Sequence, residues 1–95
     1  MNMKITEIQF VKTKSEKVKA RADLHFDGFW LKGFKILFDE NSKRNFVTPP
    51  SYLSGMGWRA LFKTDSKEDW DYIQKRILDE FDENQMKEAI EESGI

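Results

Sequence analysis

Val18-Lys19-Ala20-Arg21-Ala22-Asp23-Leu24-His25-Phe26 alternates apolar and polar side chains at every step, and no other stretch limits the possible folds so strongly. Successive side chains of a β-strand point to opposite faces, so a period of two means a strand with one face buried and one wet. A helix would scatter the same apolar residues around its whole circumference. Something apolar must cover the even-numbered face, and neighbouring strands must extend the sheet.

The flanking sequence supplies both. Ile8 and Phe10 predict a shorter first strand, joined to the second by the polar loop Lys12 to Glu16. Asp27-Gly28 is a turn signal, after which Phe29 to Phe38 reads as a third strand. That strand is apolar at both parities, with Phe29, Leu31 and Leu37 on one and Trp30, Phe34, Ile36 and Phe38 on the other. Such a pattern predicts burial on both faces or use in a subunit contact. Asp39 to Ser42 turns the chain into a short strand, Asn45 to Thr48, and Pro49-Pro50 ends it because neither residue can donate to a ladder. Ser51 to Gly57 reads as a loop, and Gly57 to Phe62 as a further strand.

Thr64, Asp65 and Ser66 are cap-type residues, and Ser66 with Asp69 approximates a capping box. Trp70, Ile73, Ile77 and Phe81 then fall in one helical stripe, with Leu78 on its shoulder. Lys67/Asp71, Asp71/Lys75, Lys75/Asp79 and Arg76/Glu80 place opposite charges one turn apart on the other sides. The expected fold is α+β, a small antiparallel β-sheet of four to five strands followed by a C-terminal amphipathic helix. One domain is expected over residues 4–82, with residues 83–95 as an acidic tail capable of a short helix.

A chain of 95 residues has a modest core, and with no Cys it has neither disulfide staples nor a thiolate metal site. Thirteen aromatics partly compensate, and a second copy would add the rest, so a homodimer is expected. His25 is the one histidine, and Gly55-Met56-Gly57 lacks the Lys and Ser/Thr of a phosphate-cradling loop. Without a nucleophile–base constellation the chain reads as a non-enzyme with no cofactor, metal or small-molecule substrate. No apolar run follows Met1-Asn2-Met3-Lys4 and none approaches a membrane span, so no membrane partner and a cytoplasmic location are expected.

Charge divides the chain. Residues 1–63 carry twelve Lys/Arg against six Asp/Glu, residues 64–95 carry four against eleven, and the two parts give the net −1. A basic body beside an acidic segment suits a polyanion-binding surface. Lys17, Lys19 and Arg21 read as successive same-face positions of the second strand, about 7 Å apart. Lys32, Lys35, Lys43, Arg44 and Arg59 add charge nearby, and Trp30, Tyr52 and Trp58 are candidate stacking platforms. The plainer reading of the same lysines is solvation of a strand's wet face and protection of an edge.

The order of these pieces resembles the SpoVG family of small bacterial and phage regulators, named for stage V sporulation protein G. The resemblance lies in Ile5-Thr6-Glu7-Ile8, Lys19-Ala20-Arg21-Ala22 and Phe26-Asp27-Gly28-Phe29. It continues through Phe34-Lys35-Ile36-Leu37, Phe46-Val47-Thr48-Pro49-Pro50-Ser51-Tyr52, Gly57-Trp58 and the helix from Ile73 to Phe81. It implies a small sheet with a C-terminal helix, homodimerisation, and binding of DNA and RNA. In that family basic residues directly after proline-serine are linked with nucleic-acid contact. Here the position holds Tyr52-Leu53, a form more like mobile-element and phage members. Contact would then lean on Lys35, Lys43, Arg44 and Arg59, with Tyr52 stacking. Small transcriptional coactivators, which bind single-stranded DNA as dimers, also place a helix after four strands but fit the proline-serine segment less well.

Two functions follow as expectations. One is a dimeric nucleic-acid-binding regulator using Lys17, Lys19, Arg21, Lys32, Lys35, Lys43, Arg44, Tyr52 and Arg59. The other is a protein-interaction module that pairs through the apolar third strand and anchors on Trp30 and Trp58.

Overall fold

The computed structural model describes residues 4–92, with side chains described through residue 87. The chain order is β1 (Ile5–Val11), β2 (Val18–Phe26), β3 (Phe29–Asp39), β4 (Arg44–Thr48), β5 (Ser51–Ser54), β6 (Gly57–Ala60) and α1 (Lys67–Glu92). The first four strands form one antiparallel sheet in the order β1-β2-β3-β4, and β5 and β6 form a separate two-stranded sheet. With α1 laid on the larger sheet, this is an α+β fold.

The even-numbered positions of β2 from Ala20 to Phe26 do face the covered side, while Val18, ahead of a register shift, does not. Phe10, Ala22 and Phe34 lie side by side across three strands, as do Ala20, Ile36 and Val47. The two alanines leave room for Phe34 and Ile36, on which α1 sets Ile73, Ile77 and Phe81. Phe34 is the centre of this layer, with Trp70 stacked 6.3 Å from its ring and Phe62 edge-on at 5.4 Å. Phe34, Leu24, Ile36, Ile73 and Ile77 are the largest fully buried side chains, each contributing about 1.5–3 kcal/mol of hydrophobic stabilisation.

The double apolar parity of β3 has a different cause from the one expected. Leu24 pairs with Leu31 and Ala22 with Phe34, so Lys32 and Gly33 together oppose the single residue Asp23. One inserted residue switches the covered face from odd positions (Phe29, Leu31) to even ones (Phe34, Ile36). Only one face of β3 is covered at any point, and Phe29, Trp30 and Phe38 are exposed. Gly33 makes the bulge with φ 104°, a conformation costly for any side chain. Its N–H donates to Asp23 Oδ1 at 3.1 Å, and the buried Pro50 lies against its bare Cα.

The helix begins where the caps lie, Ser66 Oγ accepting the Asp69 N–H at 3.2 Å. Arg76 ties α1 to β1 by donating to the Ile5 carbonyl, the Tyr72 hydroxyl and the Glu80 carboxylate. The hydrogen bond to Glu80 raises the guanidinium further above its ordinary pKa. The helix does not stop at residue 82. Nothing between Lys67 and Glu92 is Gly or Pro, so the acidic segment continues α1 through Glu92, and residues 93–95 of the expected tail lie outside the described residues. Among the described residues no helix is long and apolar enough to cross a membrane.

Ser51 to Gly57 is not a loop. Ser51–Ser54 is β5, pairing Tyr52 with Arg59 and Leu53 with Trp58, and only Gly55-Met56 forms the turn. The two glycines that suggest a flexible loop serve a tight hairpin, closed at the turn by Ser54 Oγ donating to the Gly57 carbonyl. At its base the Leu61 N–H donates to the Pro50 carbonyl at 2.7 Å.

Candidate nucleic-acid interface

The face of the sheet opposite α1 carries the candidate site. Alternation places Arg21 on β2 beside Lys35 on β3, and Lys35 beside Thr48 on β4. Two positions further, Leu37 lies beside Phe46, and beyond it Asp39 beside Arg44. Arg21, Lys35 and Arg44 therefore share one face, with the exposed ring of Phe46 between the last two. The β5–β6 hairpin brings Trp58 to the same place, its ring centroid 5.2 Å from Lys35 Nζ. At this distance a cation and an indole face attract. Towards the other end, His25 lies 4.7 Å from the half-exposed Trp30, and its Nδ1 is hydrogen-bonded to the Thr6 hydroxyl.

Charge on this face is partly cancelled. Asp23 is 3% exposed, and its carboxylate accepts from Arg21 Nε at 3.1 Å and from Nη2 at 3.0 Å. The same carboxylate holds the Gly33 N–H, so one acid fixes the bulge and orients Arg21. Among the described residues no carboxylate lies within ion-pair distance of Lys35 or Arg44.

The remaining cations expected at the site disperse. Lys19 does not follow Arg21 on one face. Val18 pairs with Leu37 and Ala20 with Ile36, so Lys19 is an extra residue, and it sits over the Phe38 ring at 4.8 Å. It borders a groove of about 270 Å³ with Phe10, Ala20 and Phe81, on the side of the sheet that α1 covers. Lys17 is exposed ahead of β2, its N–H bonded to Ser15 Oγ. Lys32 is exposed in the bulge. Lys43, in the left-handed conformation at φ 57°, turns its ammonium to Glu40 at 3.4 Å. Tyr52 and Arg59 pair across the hairpin on the face away from Trp58, with Arg59 reaching Met56 Sδ at 4.0 Å.

Of the nine expected residues, the structure thus joins Arg21, Lys35 and Arg44, leaves Lys32 exposed opposite Asp23 on the same side of the sheet, and separates Lys17, Lys19, Lys43, Tyr52 and Arg59 from them. Phe46 and Asp23 belong to the site and were not anticipated. The alternation Arg44-Phe46-Thr48 was the available signal for Phe46, since it puts the ring on the cationic parity.

The hairpin itself is poorly covered. Tyr52, Leu53, Met56, Trp58 and Leu61 are all exposed, Met56 to 87% and Trp58 to 66%. No family model matches this chain, and no curated protein matches it.

Proposed function

We propose that the chain is a dimeric, cytoplasmic nucleic-acid-binding regulator of the SpoVG kind, which contacts phosphates and bases through the sheet face opposite α1. The observation that carries this is the Lys35 ammonium set against the exposed ring of Trp58, with Arg21 and Arg44 on the same face. A cation for the phosphate beside a ring for the base is the combination that polynucleotides require. The homodimer is supported by the small core of a 95-residue chain without disulfides, which a second copy would extend.

Affinity measured across a salt series tests the proposal. With three cations engaged per protomer, log K against log[salt] falls with a slope of about −2 to −3 for each face occupied, at roughly −0.7 to −0.9 per phosphate. Lys35→Glu with Arg44→Glu lowers affinity by about a hundredfold, on the scale of two lost phosphate contacts replaced by repulsion. A flat salt response, or equal affinity in the double variant, would refute it.

A second reading, a protein-interaction module, now rests on the hairpin instead of β3. Leu53, Met56, Trp58 and Leu61 would anchor a partner protein. The charge-reversal pair separates the two, because it leaves such a partner's affinity nearly intact, apart from the loss of the Lys35 contact to Trp58.

A further inference from the structure

We infer that the face around Lys35 and Trp58 takes single-stranded polynucleotide, with one base stacked on Trp58, in preference to duplex. The inference rests on the nucleic-acid function proposed above and specifies its ligand.

Three observations favour single strands. Trp58 lies with Lys35 5.2 Å from its centroid while two-thirds of the side chain stays exposed, so ring surface is open for a base. The π-faces of bases are hidden within a duplex and offered by a single strand. Phe46 is a second exposed ring on the same face, one row of side chains from Lys35 and Thr48, about 7 Å along β4.

Cation supply argues the same way. In one protomer the face holds Arg21, Lys32, Lys35 and Arg44, and Arg21 is already shared with Asp23. A duplex contact of about 6–10 phosphates would exceed the cations that one protomer's face supplies.

Shape is the third observation. A major groove admits a helix or a two-stranded ribbon, and α1 lies on the opposite side of the sheet. The β5–β6 ribbon presents Leu53, whose side chain cannot hydrogen-bond base edges, beside Trp58 on the face turned to Lys35, and keeps Tyr52 and Arg59 on its other face. The same side chains and rings suit stacking and close approach to unpaired bases.

The test uses the full chain and three labelled probes of equal length at low salt: oligo-dT, oligo-rU and a mixed-sequence duplex, with affinity read by fluorescence anisotropy. At least one single strand is expected to bind about tenfold or more tighter than the duplex, with quenching of tryptophan emission, and the two single-stranded probes separate a deoxyribose from a ribose ligand. Trp58→Ala loses about tenfold on the preferred single strand and most of the quenching, while Trp58→Phe keeps affinity within about threefold. Circular dichroism establishes that both variants are folded, as expected for so exposed a residue. Duplex binding equal to or tighter than both single strands overturns this inference and leaves the proposed function standing. No binding of any probe overturns both. Unchanged single-strand affinity in folded Trp58→Ala overturns the stacking role of Trp58, and the inference with it.

Discussion

The four-stranded sheet and the β5–β6 hairpin draw on the same residue types and place them in opposite surroundings. In the sheet, Leu24, Phe34 and Ile36 are sealed under α1, while in the hairpin Leu53, Met56 and Trp58 meet solvent. Apolar burial stabilises only what is removed from water, so the sheet and helix hold the fold and the hairpin does not. What the hairpin contributes lies in the surface it offers, above all Trp58 beside Lys35. Substitutions in the two regions should therefore separate stability from binding.

The largest effect is expected at Phe34. Its ring is fully buried between Trp70, Phe62 and the neighbouring Ala22, and truncation leaves a cavity that none of them can fill. Phe34→Ala should cost about 3–5 kcal/mol in urea unfolding. A cost near zero would mean that the layer under α1 is loosely packed, and the contrast with the hairpin would fail.

Gly33 and Gly55 sharpen the contrast at the level of the backbone. An added Cβ at Gly33 would meet Pro50 Cβ at 3.6 Å, ordinary contact, so the difficulty there is φ 104° and not space. Gly33→Ala should cost about 1–3 kcal/mol and disturb the Asp23 hydrogen bond that orients Arg21. Gly55→Ala meets open space with no left-handed φ to maintain, and should change stability by less than about 0.5 kcal/mol.

This pair also marks where sequence reading succeeds and where it stops. The alternation in β2 and the stripe from Trp70 to Phe81 are legible because each keeps one period along the sequence itself. Three register shifts interrupt that period in the strands, near Thr6, Lys19 and Gly33. Each moves every later side chain to the other face without any mark in composition. For that reason the sequence pattern sets Lys19 beside Arg21 and predicts a β3 buried on both sides, and the structure shows neither. The ionic content of the site was readable as residue types. Its geometry was not, because Trp58 reaches Lys35 only through a hairpin whose glycines resemble those of a loop.

The smallest expected change in stability is also the one that bears most on the hairpin's purpose. Leu53 and Met56 touch little and are exposed to 67% and 87%. In a lone chain, Leu53→Ser with Met56→Ser removes almost no burial, so unfolding measured at the lowest workable concentration should move by less than about 0.5 kcal/mol. If a second copy covers the hairpin, the same double variant should reduce the solution mass from twice 11.3 kDa to 11.3 kDa in light scattering. It should also remove the rise of melting temperature with concentration that a dimer shows. A mass of 11.3 kDa in the wild type would rule out the dimer and leave the ribbon as a single-copy binding element. Loss of several kcal/mol at low concentration would instead place the hairpin within the cooperative core, and the division between a folding region and a binding region would have to be withdrawn.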